Sequence, residues 1–268
     1  EPPQLMEDQT LRPSIETMLH GLMPHKIVLH LHAVDILVHT ILSDFGDRLS
    51  DLLPTNLKWL AVDYSKPGPE LSQTVDNARH RYGPQMPEAV FLGNHGVIIG
   101  AHDLQQLREL LHIISESLKN TPSTTFKKTD SESLKPIKAY GQEYFPIEDN
   151  DIHQLVISTA MFGRIRDDWA LYPDHIIFLG DEPVTISNSI ELECSNKTTG
   201  PKPDIIYYRD VGVFRGSQVS KSSLSQLRCY FDVLLRLPSD IRLNRLSKFQ
   251  IGELIDWEAE KYRQNLND

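Results

Sequence analysis

The sequence predicts a mixed α/β fold. Two short apolar runs, Ile27–His32, β-branched at its start, and Ala89–Leu92, are bounded by Pro or Gly and have strand length. Beyond Asp103, Leu104, Leu107, Leu111, Ile114 and Leu118 recur at helical spacing. Strands alternating with helices are the signature of an α/β domain.

In chain order, Pro13 and Ser14 read as a helix start, which puts Glu16 in the first turn, where the helix dipole favours a carboxylate. Ile27–His32 (IVLHLH) follows Pro24 and is the first strand. Ala89–Leu92 (AVFL) is broken by Gly93 and Gly96, and the chain continues extended through Val97–Ile99 to Gly100. Asp103 stands at the N-cap of the helix that follows.

Three segments emerge. Residues 1–120 form one α/β domain, and 121–150 read as a polar linker or long loop, most clearly in TPSTTFKKTDSESLKP. Residues 151–268 form a second, degenerate α/β lobe ending in a C-terminal helix. That lobe carries a faded copy of the first: YYRDVGVFRG (207–216) aligns with FLGNHGVIIG (91–100), matching Gly212 to Gly96 and Gly216 to Gly100. Leu224, Leu227, Phe231 and Leu234 then match Leu104, Leu107, Leu111 and Ile114 after a four-residue insertion. Val211 stands where the first copy has His95. HIIFLG (175–180) is a further echo of a core strand.

Composition narrows the function. The 268 residues carry a net charge of −10, which argues against broad attraction to nucleic acid or anionic membrane. Two cysteines, Cys194 and Cys229, give neither a disulfide framework nor a thiolate cluster. The first residues are acidic and polar rather than signal-like, and a reducing cytoplasm is the expected setting. The absence of an initiator Met at Glu1 reads as a start inside a longer chain.

The chemistry concentrates in histidine. His30 and His32 are two residues apart on a strand, so their imidazoles share a face and can meet at one ion. Alone, the pair reads equally well as two half-buried histidines hydrogen-bonded to neighbours. His95, between Asn94 and Gly96 at a strand end, is either a third ligand or a polar turn residue. Glu16 is a fourth ligand, a general base beside the ion, or simply a helix-start carboxylate. The remaining histidines (His20, His25, His39, His80, His102, His112, His153, His175) lack paired spacing and read as surface or packing residues.

In order, PSIETMLH, VLHLHAVD, WLAVDYSKPGPEL and VFLGNHGVIIG resemble the successive motifs of the class II aldolase/adducin family, over about residues 10–118. The resemblance implies a three-layer αβα fold and a metal-dependent aldolase that cleaves a sugar or sugar phosphate through a metal-stabilised enediolate. By it His30, His32 and His95 hold a divalent ion, with zinc foremost and manganese, cobalt or iron as alternatives. Glu16 matches the acid/base carboxylate, Ser14 the serine at the substrate's anionic end, and Tyr64 the tyrosine that protonates the aldehyde product from a neighbouring subunit. It also implies a homo-oligomer, by analogy a tetramer. The tail IGELIDWEAEKYRQNL is similar to the end of longer sugar aldolases. Two features depart from the family: Ala33 follows the second histidine in place of proline, and the Gly-rich substrate loop that precedes the glutamate is not in this sequence. The competing readings are a same-fold epimerase or decarboxylase, and a non-catalytic, adducin-like assembly module.

Overall fold

The computed structural model describes residues 13–83, 86–121, 133–238 and 241–255. It divides into two compact units, the first running to Thr121 and including Arg242–Leu254, the second spanning Pro122–Ile241.

In the first unit the elements are α1 (Thr17–Gly21), β1 (Ile27–Leu31), α2 (Val34–Thr40), α3 (Phe45–Leu52), β2 (Trp59–Val62), α4 (Pro69–Tyr82), β3 (Ala89–Leu92), β4 (Gly96–Ala101) and α5 (Leu104–Leu118). Four strands form one sheet in the order β1-β4-β3-β2. β4 runs antiparallel to both β1 and β3, and β2 pairs parallel with β3. β3 and β4 are buried along their whole length, which suits their continuous apolar sequence. On one face Leu19 of α1 and Leu71 and Val75 of α4 pack against Leu60, Val62, Val90, Leu92 and Ile98. On the other, α2 and α5 lie on β4, giving helix layers on both sides of the sheet. Burying a residue such as Phe91 or Ile98 completely contributes about 1.5–3 kcal/mol. Asp103 caps α5, its Oδ1 accepting from the Gln106 N–H at 2.8 Å.

The second unit contains β5 (Ile137–Ala139), β6 (Gln142–Pro146), α6 (Gln154–Ile157), α7 (Thr159–Asp167), α8 (Pro173–Leu179), β7 (Thr185–Ile186), α9 (Ser189–Ser195), β8 (Ile205–Tyr208), β9 (Gly212–Arg215) and α10 (Lys221–Leu235). Its sheet order is β5-β6-β9-β8-β7. Apart from β5, this is the first sheet again: β9 is antiparallel to β6 and β8, and β7 is parallel to β8. The repeat holds at single hydrogen bonds. Asn94 N–H donates to Thr40 O and Asp210 N–H to Val156 O; Gly100 N–H donates to Glu88 O and Gly216 N–H to Asp204 O. All four residue pairs share one offset, 116 residues (212 − 96 for the glycines).

Four expectations are corrected. The linker assigned to 121–150 contains the β5–β6 hairpin, where Tyr140 and Gly141 take positive φ (51° and 70°) at the turn; residues 122–132 lie outside the described set. HIIFLG is not a strand: it is most of α8, started by Pro173 at the first helical position, where proline is favoured. A short buried apolar run does not distinguish strand from buried helix by periodicity. The insertion before α10 is one residue, since its cap Ser220 lies nine residues past Val211 and Asp103 lies eight past His95; aligning leucines alone slipped by about one turn. The last described helix, α11 (Lys248–Ile255), groups with the first unit and not with the second lobe. The tail beyond residue 255 lies outside the described residues.

Candidate metal centre

The site sits where β1, the β3–β4 turn and the start of α1 meet. β1 pairs Leu31 with Val97 and His30 with Ile98, which carries His30 and, just past the strand end, His32 to the edge of the β3–β4 turn. Gly96 permits this approach: a Cβ there would lie 2.2 Å from Leu31 O. Asn94 takes φ +52°, a left-handed conformation that asparagine tolerates, and turns the chain so that His95 faces β1.

Three imidazoles converge. Ring centroids are 4.8 Å apart for His30 and His32, 5.0 Å for His30 and His95, and 4.7 Å for His32 and His95. His30 Nε2 and His32 Nε2 face one another at 3.2 Å. Glu16 completes the group, with Oε2 3.0 Å from His30 Nδ1 and Oε1 3.2 Å from His95 Nε2. Glu16 is the N-cap of α1 rather than a first-turn residue. His95 is almost wholly buried, whereas Glu16 keeps 18 % of its side chain exposed and is the acid of the cluster that reaches solvent.

Burial alone would raise the Glu16 pKa, but hydrogen bonding and charge from His30 and His95 outweigh it and hold the carboxyl well below the usual range. His95 is pulled down to about 4, first by burial and against the attraction of Glu16, so its ring is neutral at pH 7 and its lone pair available.

This donor set fits a divalent ion. The four ligand-capable atoms all lie within 4.8 Å of one another. Around a tetrahedral zinc with Zn–N near 2.0–2.1 Å, ligand atoms are separated by about 3.3–3.4 Å, close to the spacing His30 and His32 already have. Buried His95 Nδ1 has no hydrogen-bond partner among the described residues. Three imidazoles and a carboxylate suit zinc and its first-row neighbours.

Residues 3–121 match the family model described as Class II Aldolase and Adducin N-terminal domain. That stretch is a class II aldolase/adducin domain. Among curated proteins, the chain is 22% identical over 207 residues to the "Uncharacterized oxidoreductase YuxG" of Bacillus subtilis (strain 168), an alignment covering 75% of this chain and 27% of that protein. The chain therefore spans about a quarter of that relative's length. No solved structure matches.

Ser14 and Tyr64 are not part of the four-residue cluster. Exposed Ser14 accepts the Glu16 N–H at Oγ (3.3 Å), which shapes the entry to α1. Tyr64 is on the segment after β2; its hydroxyl is buried without a partner among the described residues, and burial, then the charges of Glu253 and Glu70, push the phenol up. His20, read as a packing residue, has its ring 6.1 Å from His30 and one turn along from Glu16, a spacing that could have flagged it. His39, His153 and His175 are packing residues: His39 Nε2 meets Leu118 O at 3.1 Å, His153 bridges Ile147 O and Val213 N–H, and His175 is enclosed by Trp169 and Tyr230.

Among its described residues the second unit has no counterpart site. In the repeated register Pro146, paired with Phe214, takes the place of His30, and Val211 that of His95. Among the described residues the Glu16 group is the only cluster of this kind, and no helix is long and apolar enough to cross a membrane.

Proposed function

We propose that the first unit is a metal-dependent aldolase, a lyase that cleaves a carbon–carbon bond of a sugar or sugar phosphate. The observation that carries this reading is the convergence of His30, His32 and His95 on one point beside a carboxylate that remains open to solvent. A divalent ion held there, zinc first by donor type, would supply Lewis acidity toward a carbonyl and its neighbouring hydroxyl. The chain's own residues do the rest. The three imidazoles, fixed by β1 and the β3–β4 turn, hold the ion in a rigid frame. Glu16, anionic at neutral pH, takes and returns the proton exchanged at carbon on its exposed side. Tyr64 keeps its phenolic proton and supplies it to the leaving aldehyde from a neighbouring copy, which makes the active form an oligomer, a tetramer by analogy with the family. Ser14 receives the anionic end of the substrate. No lysine or serine nucleophile is needed by this route.

The test is turnover. Zinc-loaded protein is incubated with a panel of ketoses and ketose phosphates, including those that release dihydroxyacetone phosphate, and aldehyde release is followed. Cleavage of one member that is lost in Glu16→Gln supports the proposal. No turnover across the panel from protein with a full metal complement counts against it, in favour of the assembly module. Product analysis separates cleavage from epimerisation or decarboxylation.

A further inference from the structure

We infer that Asn244, from the far end of the chain, is a positioning residue for His95. This rests on the metal-centre reading above.

Asn94, the residue before His95, is completely buried and left-handed. Its backbone N–H donates to Thr40 O at 2.8 Å. Its side-chain amide forms a reciprocal pair with residue 244: Asn94 Nδ2 donates to Asn244 O at 2.5 Å, and Asn244 Nδ2 donates to Asn94 Oδ1 at 2.9 Å. Asn244 is itself fixed, its N–H donating to Ile41 O at 2.7 Å beside a bridge between Leu42 and Leu243. The turn that presents His95 is thus held from α2 and from the returning segment.

The second unit supplies an internal comparison. Asp210 occupies the place of Asn94, with φ +58° and the same main-chain bond, here to Val156 O. Its side chain is 71% exposed and lies 3.5 Å from Arg209 Nε. The next residue is Val211. The turn therefore forms without an amide clamp, and the clamp accompanies the copy whose following residue must be aimed. Outer groups that orient a ligand commonly change metal affinity by about 10–100-fold.

The experiment uses the full chain and the metal alone. Zinc affinity by competition titration and the visible spectrum of the cobalt(II) form are measured for wild type, Asn244→Ala and the isosteric Asn244→Asp. Leu246→Ala, a buried apolar change in the same segment, controls for stability loss. Both Asn244 variants are expected to bind zinc about 10–100-fold more weakly and to shift the cobalt bands, while Leu246→Ala lowers the unfolding midpoint with affinity and spectrum unchanged. Affinity and spectrum like wild type in either folded Asn244 variant overturn the inference, as does an equal loss in Leu246→Ala. Failure of wild type to bind either metal overturns the metal-centre reading, and this inference with it.

Discussion

Glu16 and His95 meet at 3.2 Å although they belong to opposite ends of the first domain's motif series, one capping α1 and the other on the β3–β4 turn. The contact joins the one solvent-open acid of the cluster to its most deeply buried base. With the 3.0 Å contact to His30 it ties the group assigned to proton transfer to the frame assigned to metal binding.

Replacing His95 by the residue of the second lobe is the most specific disruption. His95→Val is expected to weaken zinc binding by well over the ~100-fold that outer-shell changes produce, measured by competition titration, with the fold retained by circular dichroism.

Gly96→Ala is expected to damage both fold and site. The added Cβ meets Leu31 O, a backbone atom that cannot swing aside, so β1 and β4 must separate. Overpacking of this kind costs about 1–3 kcal/mol, read as a lowered urea midpoint, and zinc affinity falls with it because His30 and His32 ride on β1.

Tyr64→Phe separates catalysis from structure. The hydroxyl has no partner among the described residues, so its removal is expected to leave the thermal midpoint and zinc affinity unchanged. Turnover on an accepted substrate should fall by about 10²–10⁴-fold, the usual contribution of a positioned proton donor. Unchanged turnover would remove Tyr64 from the mechanism.

In the second unit, His153→Leu leaves Ile147 O and Val213 N–H buried without their partner. A loss of about 2 kcal/mol or more in unfolding free energy is expected, with zinc affinity as in wild type. The contrast with His95→Val distinguishes a packing histidine from a ligand.

His175 gives the second unit a pH dependence. Its ring is fully buried, and burial pulls its pKa down to about 3 from the 6.5 of an exposed histidine. Below pH 6.5 the unfolded chain takes up a proton that the folded one does not, so stability falls as pH drops from 6.5 toward 3. By pH 5 the loss is about 2 kcal/mol, seen as a falling midpoint in pH-dependent denaturation. His175→Leu should flatten that slope.

Much of the site was legible because its spacing is local. His30 and His32 share a strand face, and the glycines flanking Asn94-His95 mark a turn. The faded repeat was legible for the same reason, since Gly96 and Gly212 answer one steric need, although leucine periodicity misaligned α10 by about a turn. What sequence could not show was long-range or ambiguous. Asn244 meets Asn94 across 150 residues, with no motif to pair them. HIIFLG is apolar throughout, so its period gave no choice between strand and buried helix. The β5–β6 hairpin was hidden by the polar stretch before it.

The central claim is that His30, His32 and His95 hold one divalent ion. Anomalous scattering from crystals grown with zinc, collected on both sides of the zinc edge, tests it most directly. A single peak is expected within ligand distance of all three imidazoles and the Glu16 carboxylate, absent in His95→Val. A map with no peak there, from protein whose thermal midpoint zinc does not move, would contradict it.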